Sequence, residues 1–156
     1  MKEDNKAIAH RWFREVWNQG REQTIDELLA PTVVAFGLGQ GEATVHSAAE
    51  FKVFWRNLRS AIPDIEIRIE DSVAEGDRVA VRVIIEGTHK GEGLGGPPSG
   101  QRIYVQGICL IQIVNRKLVK GWNSWDQLGM LRQIGFIPTA PKEDIFLADR
   151  KSAAKA

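Results

Sequence analysis

Apolar and polar residues alternate along four successive stretches in the second half of the sequence, and this alternation limits the fold more than any other feature. In the first stretch Ile65, Ile67 and Ile69 are separated by charged residues, which is the period of a β-strand with one buried face. The alternation returns at 79–85, and two longer strands are predicted at 102–114 and 118–125. The pattern predicts four long antiparallel strands.

The first part of the chain repeats its apolar residues at helical spacing instead. Three helices are predicted there: from an N-cap at Asp4 or Asn5 to Gly20, over 23–29 before Pro31, and from the capping box Ser47–Glu50 to Pro63. A brief strand is predicted at 32–36, and a closing helix at 127–133 after its cap, Asp126.

Helices followed by a run of strands indicate an α+β fold. We expect a cone-shaped, curved antiparallel β-sheet packed on three N-terminal helices, an α+β barrel that encloses a pocket. A chain of 156 residues with 43% hydrophobic content can bury one core around a small cavity. We therefore predict a single domain over 1–140 and a charged C-terminal tail over 141–156.

Charge and composition exclude several classes of partner. The chain has 21 Lys and Arg against 20 Asp and Glu, a balance that favours neither nucleic acid nor a membrane surface. No apolar run approaches the length of a membrane span, and the one cysteine, Cys109, cannot form an intramolecular disulfide. These features predict a cytoplasmic protein. The histidines lack metal-ligand spacing, and we predict neither a metal nor another cofactor.

Several segments, in this order and at this spacing, resemble the SnoaL-like polyketide cyclases, within the superfamily of nuclear transport factor 2-like and ketosteroid isomerase-like cone folds. The segments are 13–20, 26–31, 87–89, 96–100, 122–126 and 129–135. The resemblance covers most of the chain. It implies an enzyme in which a carboxylate on the last long strand exchanges a proton beside a carbonyl group, while neighbouring polar groups hold the developing enolate.

The chain departs from the family's pattern at the positions of this proton machinery. Asn123 stands where the cyclases carry their aspartate, and an amide does not exchange a proton at neutral pH. Three further positions that are polar in the cyclases are Ala35, Gly107 and Cys109 here. Most of the family's acid–base groups are therefore absent.

The candidate site residues follow from this comparison and from the predicted strands. The candidate catalytic residues are Asn123, His89 and Asp126. The candidate substrate-binding residues are Phe13, Trp17, Phe54, Cys109 and Trp125. Each candidate also has a structural interpretation: a hydrogen bond to backbone for Asn123, a loop tie for His89, a helix cap for Asp126 and a small buried hydrophobe for Cys109.

Two classes of function fit the sequence. One is an enzyme acting on a hydrophobic, polycyclic or carbonyl-bearing metabolite by isomerisation, cyclisation or hydration. The other is a non-catalytic module that binds a small apolar ligand in the same cavity. A weaker alternative is an assembly role through the outer sheet face, where the predicted alternation exposes Tyr104, Gln106, Ile108, Leu110 and Gln112. We expect a homodimer across that face in each case.

Overall fold

The computed structural model describes residues 4–39 and 44–138. The helices are α1 (Asn5–Arg11), which continues into a π-helical segment (Trp12–Asn18), then α2 (Glu22–Leu28), α3 (Ala48–Ala61) and α4 (Gln127–Gln133). The strands are β1 (Leu29–Phe36), β2 (Thr44–Val45), β3 (Glu66–Glu75), β4 (Arg78–Thr88), β5 (Arg102–Val114) and β6 (Lys117–Trp125). The predicted α+β class is confirmed. The predicted tail, 141–156, lies outside the described residues.

The strands form one sheet in the order β2-β1-β6-β5-β4-β3. The four long strands pair antiparallel with their sequence neighbours, as predicted. The sheet as a whole is mixed, however, because β1 lies parallel to β6. With β2 and β3 at its two edges the sheet is open, which corrects the expectation of a barrel.

Local sequence signals set several element boundaries. Asp4 accepts the backbone N–H of Ala7 at the start of α1, and Ser47 accepts that of Glu50 at the start of α3. Glu50 completes the start of α3 by accepting the N–H of His46, one residue before the cap. These side chains satisfy backbone donors that a helix leaves open at its N-terminus, so the helices begin where the sequence predicts.

The first two helices differ from the sequence prediction. The first helix widens into π-helical turns at Trp12, where a single α-helix to Gly20 was expected. The second helix ends at Leu28, because the chain enters β1 directly. Pro31 therefore lies inside β1, in the stretch where pairing with β6 is irregular, so its missing N–H interrupts no regular ladder there.

The helices cover one face of the sheet, and the buried apolar side chains collect between the two layers. The other face is open: Tyr104 is 51% exposed and Ile108 is 57% exposed. In the described ranges no helix is both long and apolar enough to cross a membrane. Those same ranges contain no cluster of three His, Cys, Asp or Glu side chains suited to hold a metal ion.

Candidate functional site

A cavity of about 90 Å³ lies between the helical layer and the sheet. Six residues predicted for the site line it: Phe13, Trp17, Phe54, Cys109, Asn123 and Trp125. Other residues that line it were not predicted for the site, among them Trp12, Phe51, Leu58 and Ile111. Their helical and strand spacing identified them as buried, but only the tertiary structure distinguishes a cavity wall from a filled core.

The π-helical segment supplies three of the aromatic side chains on the cavity wall. Its wider turns bury Trp12, Phe13, Val16 and Trp17 together. The ring of Trp17 meets those of Phe51 and Phe54 from α3 edge to face, with centroids 6.1 and 6.3 Å apart. This contact between the segment and α3 closes one side of the cavity.

Two side chains of α3 donate hydrogen bonds to backbone carbonyls of the π-helical segment. The indole N–H of Trp55 donates to the carbonyl of Val16 at 3.0 Å. The guanidinium of Arg59 donates to the carbonyl of Trp17 and lies against the Trp55 ring. Burial lowers the pKa of Arg59 from its ordinary value. These hydrogen bonds hold the backbone of the segment that carries three aromatic residues of the cavity wall.

Asn123 is half-buried on β6, opposite Cys109 of β5. Its Nδ2 donates to the backbone carbonyl of Phe36, at the end of β1, over 2.8 Å. Within 4–39 and 44–138, its Oδ1 receives no hydrogen bond from the protein and is not fully buried, so it is accessible to a bound molecule or to water. The predicted backbone bond is therefore present, and Asn123 also forms part of the cavity wall.

A groove of about 470 Å³ adjoins the cavity, and Asn123 and Trp125 line both spaces. Gln127 holds one rim of the groove by donating to the carbonyls of Gly37 and Gly39, at 3.3 and 3.0 Å. Asn123 therefore lies at the boundary between the interior cavity and the groove.

Cys109 lines the cavity wall and is 9% exposed. Burial raises the pKa of its thiol to about 12, because the anion is poorly solvated there. A nucleophilic thiolate is thus disfavoured at neutral pH. Its position agrees with the interpretation of Cys109 as a small buried hydrophobe.

Native Cys109 is expected to react with a thiol-specific disulfide reagent at pH 8 at least roughly 100-fold more slowly than in the denatured chain, because its thiolate is scarce and shielded. Stability should fall as the pH rises from about 8.5 toward 12, because the unfolded thiol ionises first and the native one keeps its proton. Reaction rates and denaturation curves measure both effects. Complete labelling of the native protein within minutes would contradict the first prediction. In Cys109→Ala, the part of the alkaline loss of stability that depends on this thiol should be absent.

His89 is fully buried, and it is not among the residues that line the cavity. Its Nδ1 accepts the backbone N–H of Ser99 at 3.1 Å, so the ring proton belongs on Nε2, which lies 3.2 Å from the carbonyl oxygen of Gly93. The ring also meets Phe136 edge to face. This geometry corresponds to the structural role predicted for His89, a loop tie, and gives no support to His89 as a catalytic group.

Asp126 is exposed and caps α4 by accepting the backbone N–H of Gly129 at 2.8 Å. It lines neither the cavity nor the groove. The helix cap is therefore its observed contact, and the structure does not bring it together with Asn123 as a reserve base.

Comparison with known proteins agrees with this geometry. A structure of a candidate SnoaL-like polyketide cyclase from Jannaschia sp. CCS1 superposes with a TM-score of 0.78 at 23% identity, covering 88% of this chain and 99% of that one, which shows a shared fold. AclR of Streptomyces galilaeus, a candidate hydroxylase, gives a TM-score of 0.78 at 28% identity over 97% of this chain and 92% of its own.

IdmH of Streptomyces antibioticus, a candidate polyketide cyclase, gives a TM-score of 0.74 at 27% identity, covering 85% of this chain and 99% of its own. No curated protein sequence matches this chain. The sequence model of the SnoaL-like polyketide cyclases matches residues 7–134, which include every element around the cavity. Because that match spans most of the sequence and the fold agrees with it, the chain belongs to the SnoaL-like polyketide cyclase family.

Proposed function

We propose that the protein binds a hydrophobic, carbonyl-bearing metabolite of polycyclic size and promotes its isomerisation, cyclisation or hydration. The observation that carries this proposal is an apolar, aromatic cavity with Asn123 at its opening to the groove. The ring faces of Trp12, Trp17 and Trp125 suit a flat ligand. The cavity takes one end of the molecule, and the groove takes the rest.

The chemistry of the wall favours positioning over proton abstraction. No residue on the described cavity wall carries a carboxylate, and the Cys109 thiol has a pKa of about 12. Lys120 also lines the cavity, but its Nζ lies over the rings of Phe36 and Trp122, 5.6 and 5.1 Å from their centroids. The rate enhancement then comes from holding the ligand in a reactive geometry away from water.

Asn123 is the residue that we assign to contact the reacting part of the ligand. His89 and Asp126 also belonged to the catalytic set predicted from the sequence. They are excluded from this proposal because their hydrogen bonds hold the loop at 89–100 and the start of α4.

Turnover of aromatic polyketide-type ketones tests the proposal. Asn123→Ala is expected to lower kcat/KM about 10- to 100-fold, because it removes the polar contact at the reacting group. Product formation is followed by liquid chromatography, and exchange of carbonyl-adjacent protons by NMR in heavy water. Asn57→Ala removes an exposed amide from α3, outside both the cavity and the groove, and is the matched control, expected to leave turnover unchanged. Equal turnover in Asn123→Ala and wild type would refute the assignment.

A second function, ligand binding without catalysis, is favoured by the same lack of a carboxylate on the described wall. Native mass spectrometry of the purified protein distinguishes it, because a binding module should release a bound molecule chemically unchanged on denaturation. Under this alternative, exchange of carbonyl-adjacent protons should appear only in Asn123→Asp, which restores a carboxylate at that position.

A second copy of the chain is our proposed partner for the outer sheet face. Tyr104 and Ile108 are both more than half exposed there, which leaves apolar surface in water. Sedimentation is expected to show a dimer at micromolar concentration, and Ile108→Glu should shift it toward monomer by placing a charge in the interface. Val53→Glu, an equally exposed site on α3, should leave the dimer intact. A wild-type monomer would contradict this proposal.

A further inference from the structure

The amide orientation of Asn123 is fixed by the group it meets. The carbonyl oxygen of Phe36 can only accept a hydrogen bond, so the atom 2.8 Å from it must be the amide nitrogen. The opposite orientation would bring two oxygen acceptors to that distance with no hydrogen between them. Oδ1 is therefore the branch of the side chain left without a backbone partner.

Oδ1 also has no equivalent on the cavity wall. Among the described residues that line the cavity, Asn123 carries the only side-chain oxygen. Cys109, directly opposite on β5, offers at most a weak S–H donor, and the described structure records no hydrogen bond between the two. An amide oxygen enclosed by a ligand without receiving a hydrogen bond would cost binding free energy.

We infer that the ligand presents an enolic or phenolic hydroxyl whose hydrogen is donated to Oδ1 of Asn123. This inference rests on the proposed function and narrows its substrate class. A carbonyl compound gains such a hydroxyl when it enolises, so Asn123 accepts a hydrogen bond that the keto form cannot supply. The covalent change is a proton moving from carbon to oxygen within the ligand, and Asn123 gains and loses no proton.

The flat aromatic surroundings agree with this chemistry. An enol or phenol is planar, and its hydroxyl lies in the plane of the ring or double bond. Trp12, Trp17 and Trp125 line the same cavity, and each carries a planar indole with one N–H donor. A further carbonyl on the ligand can accept from those donors, while the hydroxyl occupies the acceptor at Asn123.

Three probes of the same ring system test the inference: 2-naphthol, 2-methoxynaphthalene and 2-acetylnaphthalene. Titration calorimetry is expected to show that the naphthol binds at least about tenfold more tightly than the methyl ether and the ketone, because only the naphthol supplies a donor. In ¹H–¹⁵N spectra the naphthol should also shift the side-chain amide resonances of Asn123. Equal affinities for naphthol and ether, tighter binding of the ketone, or no binding of the naphthol would overturn the inference.

Asn123→Leu keeps a similar side-chain size and removes the acceptor, so the preference for naphthol over ether should fall below about twofold. Asn123→Asp retains an oxygen acceptor and should keep the preference, which gives a second variant if the leucine variant does not fold. Asn57→Ala should behave as wild type. If the protein prefers naphthol but turns over no ketone, only the catalytic proposal is refuted. If it turns over a ketone but shows no preference for naphthol, only this inference is refuted.

Discussion

Gly37→Ala is expected to lower the free energy of unfolding by about 3 kcal/mol and to abolish ligand binding at Asn123. Gly37 has a φ of +75°, a conformation that a residue with a side chain adopts at a cost. A Cβ there would lie 1.9 Å from the backbone oxygen of Asn123, a distance that no rotamer change can relieve. The two backbones must separate, and Asn123 moves with β6.

Gly76→Ala is the control for this prediction. Gly76 also has a positive φ, +58°, but nothing lies within 4 Å of a Cβ placed on it. Gly76→Ala should therefore lower the free energy of unfolding only by the conformational cost, about 1 kcal/mol, and should leave ligand binding unchanged. Urea denaturation and calorimetry of both variants measure the two quantities. If the two variants lose the same stability, the contact between Gly37 and Asn123 is not a constraint on the site.

His89→Ala is expected to cost about 2–4 kcal/mol of stability. It removes a fully buried ring, leaves the N–H of Ser99 without its hydrogen-bond partner and takes away one of the two donors to the carbonyl of Gly93. The loop at 89–100 should lose protection from hydrogen exchange. Thermal and urea denaturation measure the stability, and ketone turnover is measured well below the new melting temperature.

The matched control is His10→Ala, because His10 is only half-buried and makes one side-chain hydrogen bond, to Ser72. It should cost less than about 1 kcal/mol. The structural role of His89 is contradicted if His89→Ala keeps wild-type stability and loses turnover, since that combination identifies a catalytic group.

Elements governed by neighbouring residues were predictable from the sequence. β5 (Arg102–Val114) and α4 (Gln127–Gln133) lie at the predicted bounds, because alternation and the Asp126 cap act over a few positions. The π-helical turns of Trp12–Asn18 were not predictable in this way. The residues there are apolar at a spacing that also fits an α-helix, and contacts with α3 accompany the wider turns.

The same distinction between local and long-range interactions applies to the candidate site. Phe13, Trp17, Phe54 and Trp125 of the cavity wall were predicted from the family resemblance and the predicted elements, whereas Trp12 and Phe51, at the same apolar spacing, were not. The roles of His89 and Asn123 needed the structure. His89 is held by a hydrogen bond from the backbone N–H of Ser99, ten residues later in the chain. Asn123 is held by its hydrogen bond to the carbonyl of Phe36, 87 residues away in the chain.

The sequence by itself determined the α+β class, the long strands, the helix caps and the apolar character of the pocket. The tertiary structure decided that β1 lies parallel to β6, that the sheet stays open, and that the amide nitrogen of Asn123 faces Phe36. The physical reason is the range of the interactions. Periodicity and capping act between near neighbours, whereas strand pairing and the orientation of a side-chain amide depend on backbone groups brought together only by folding.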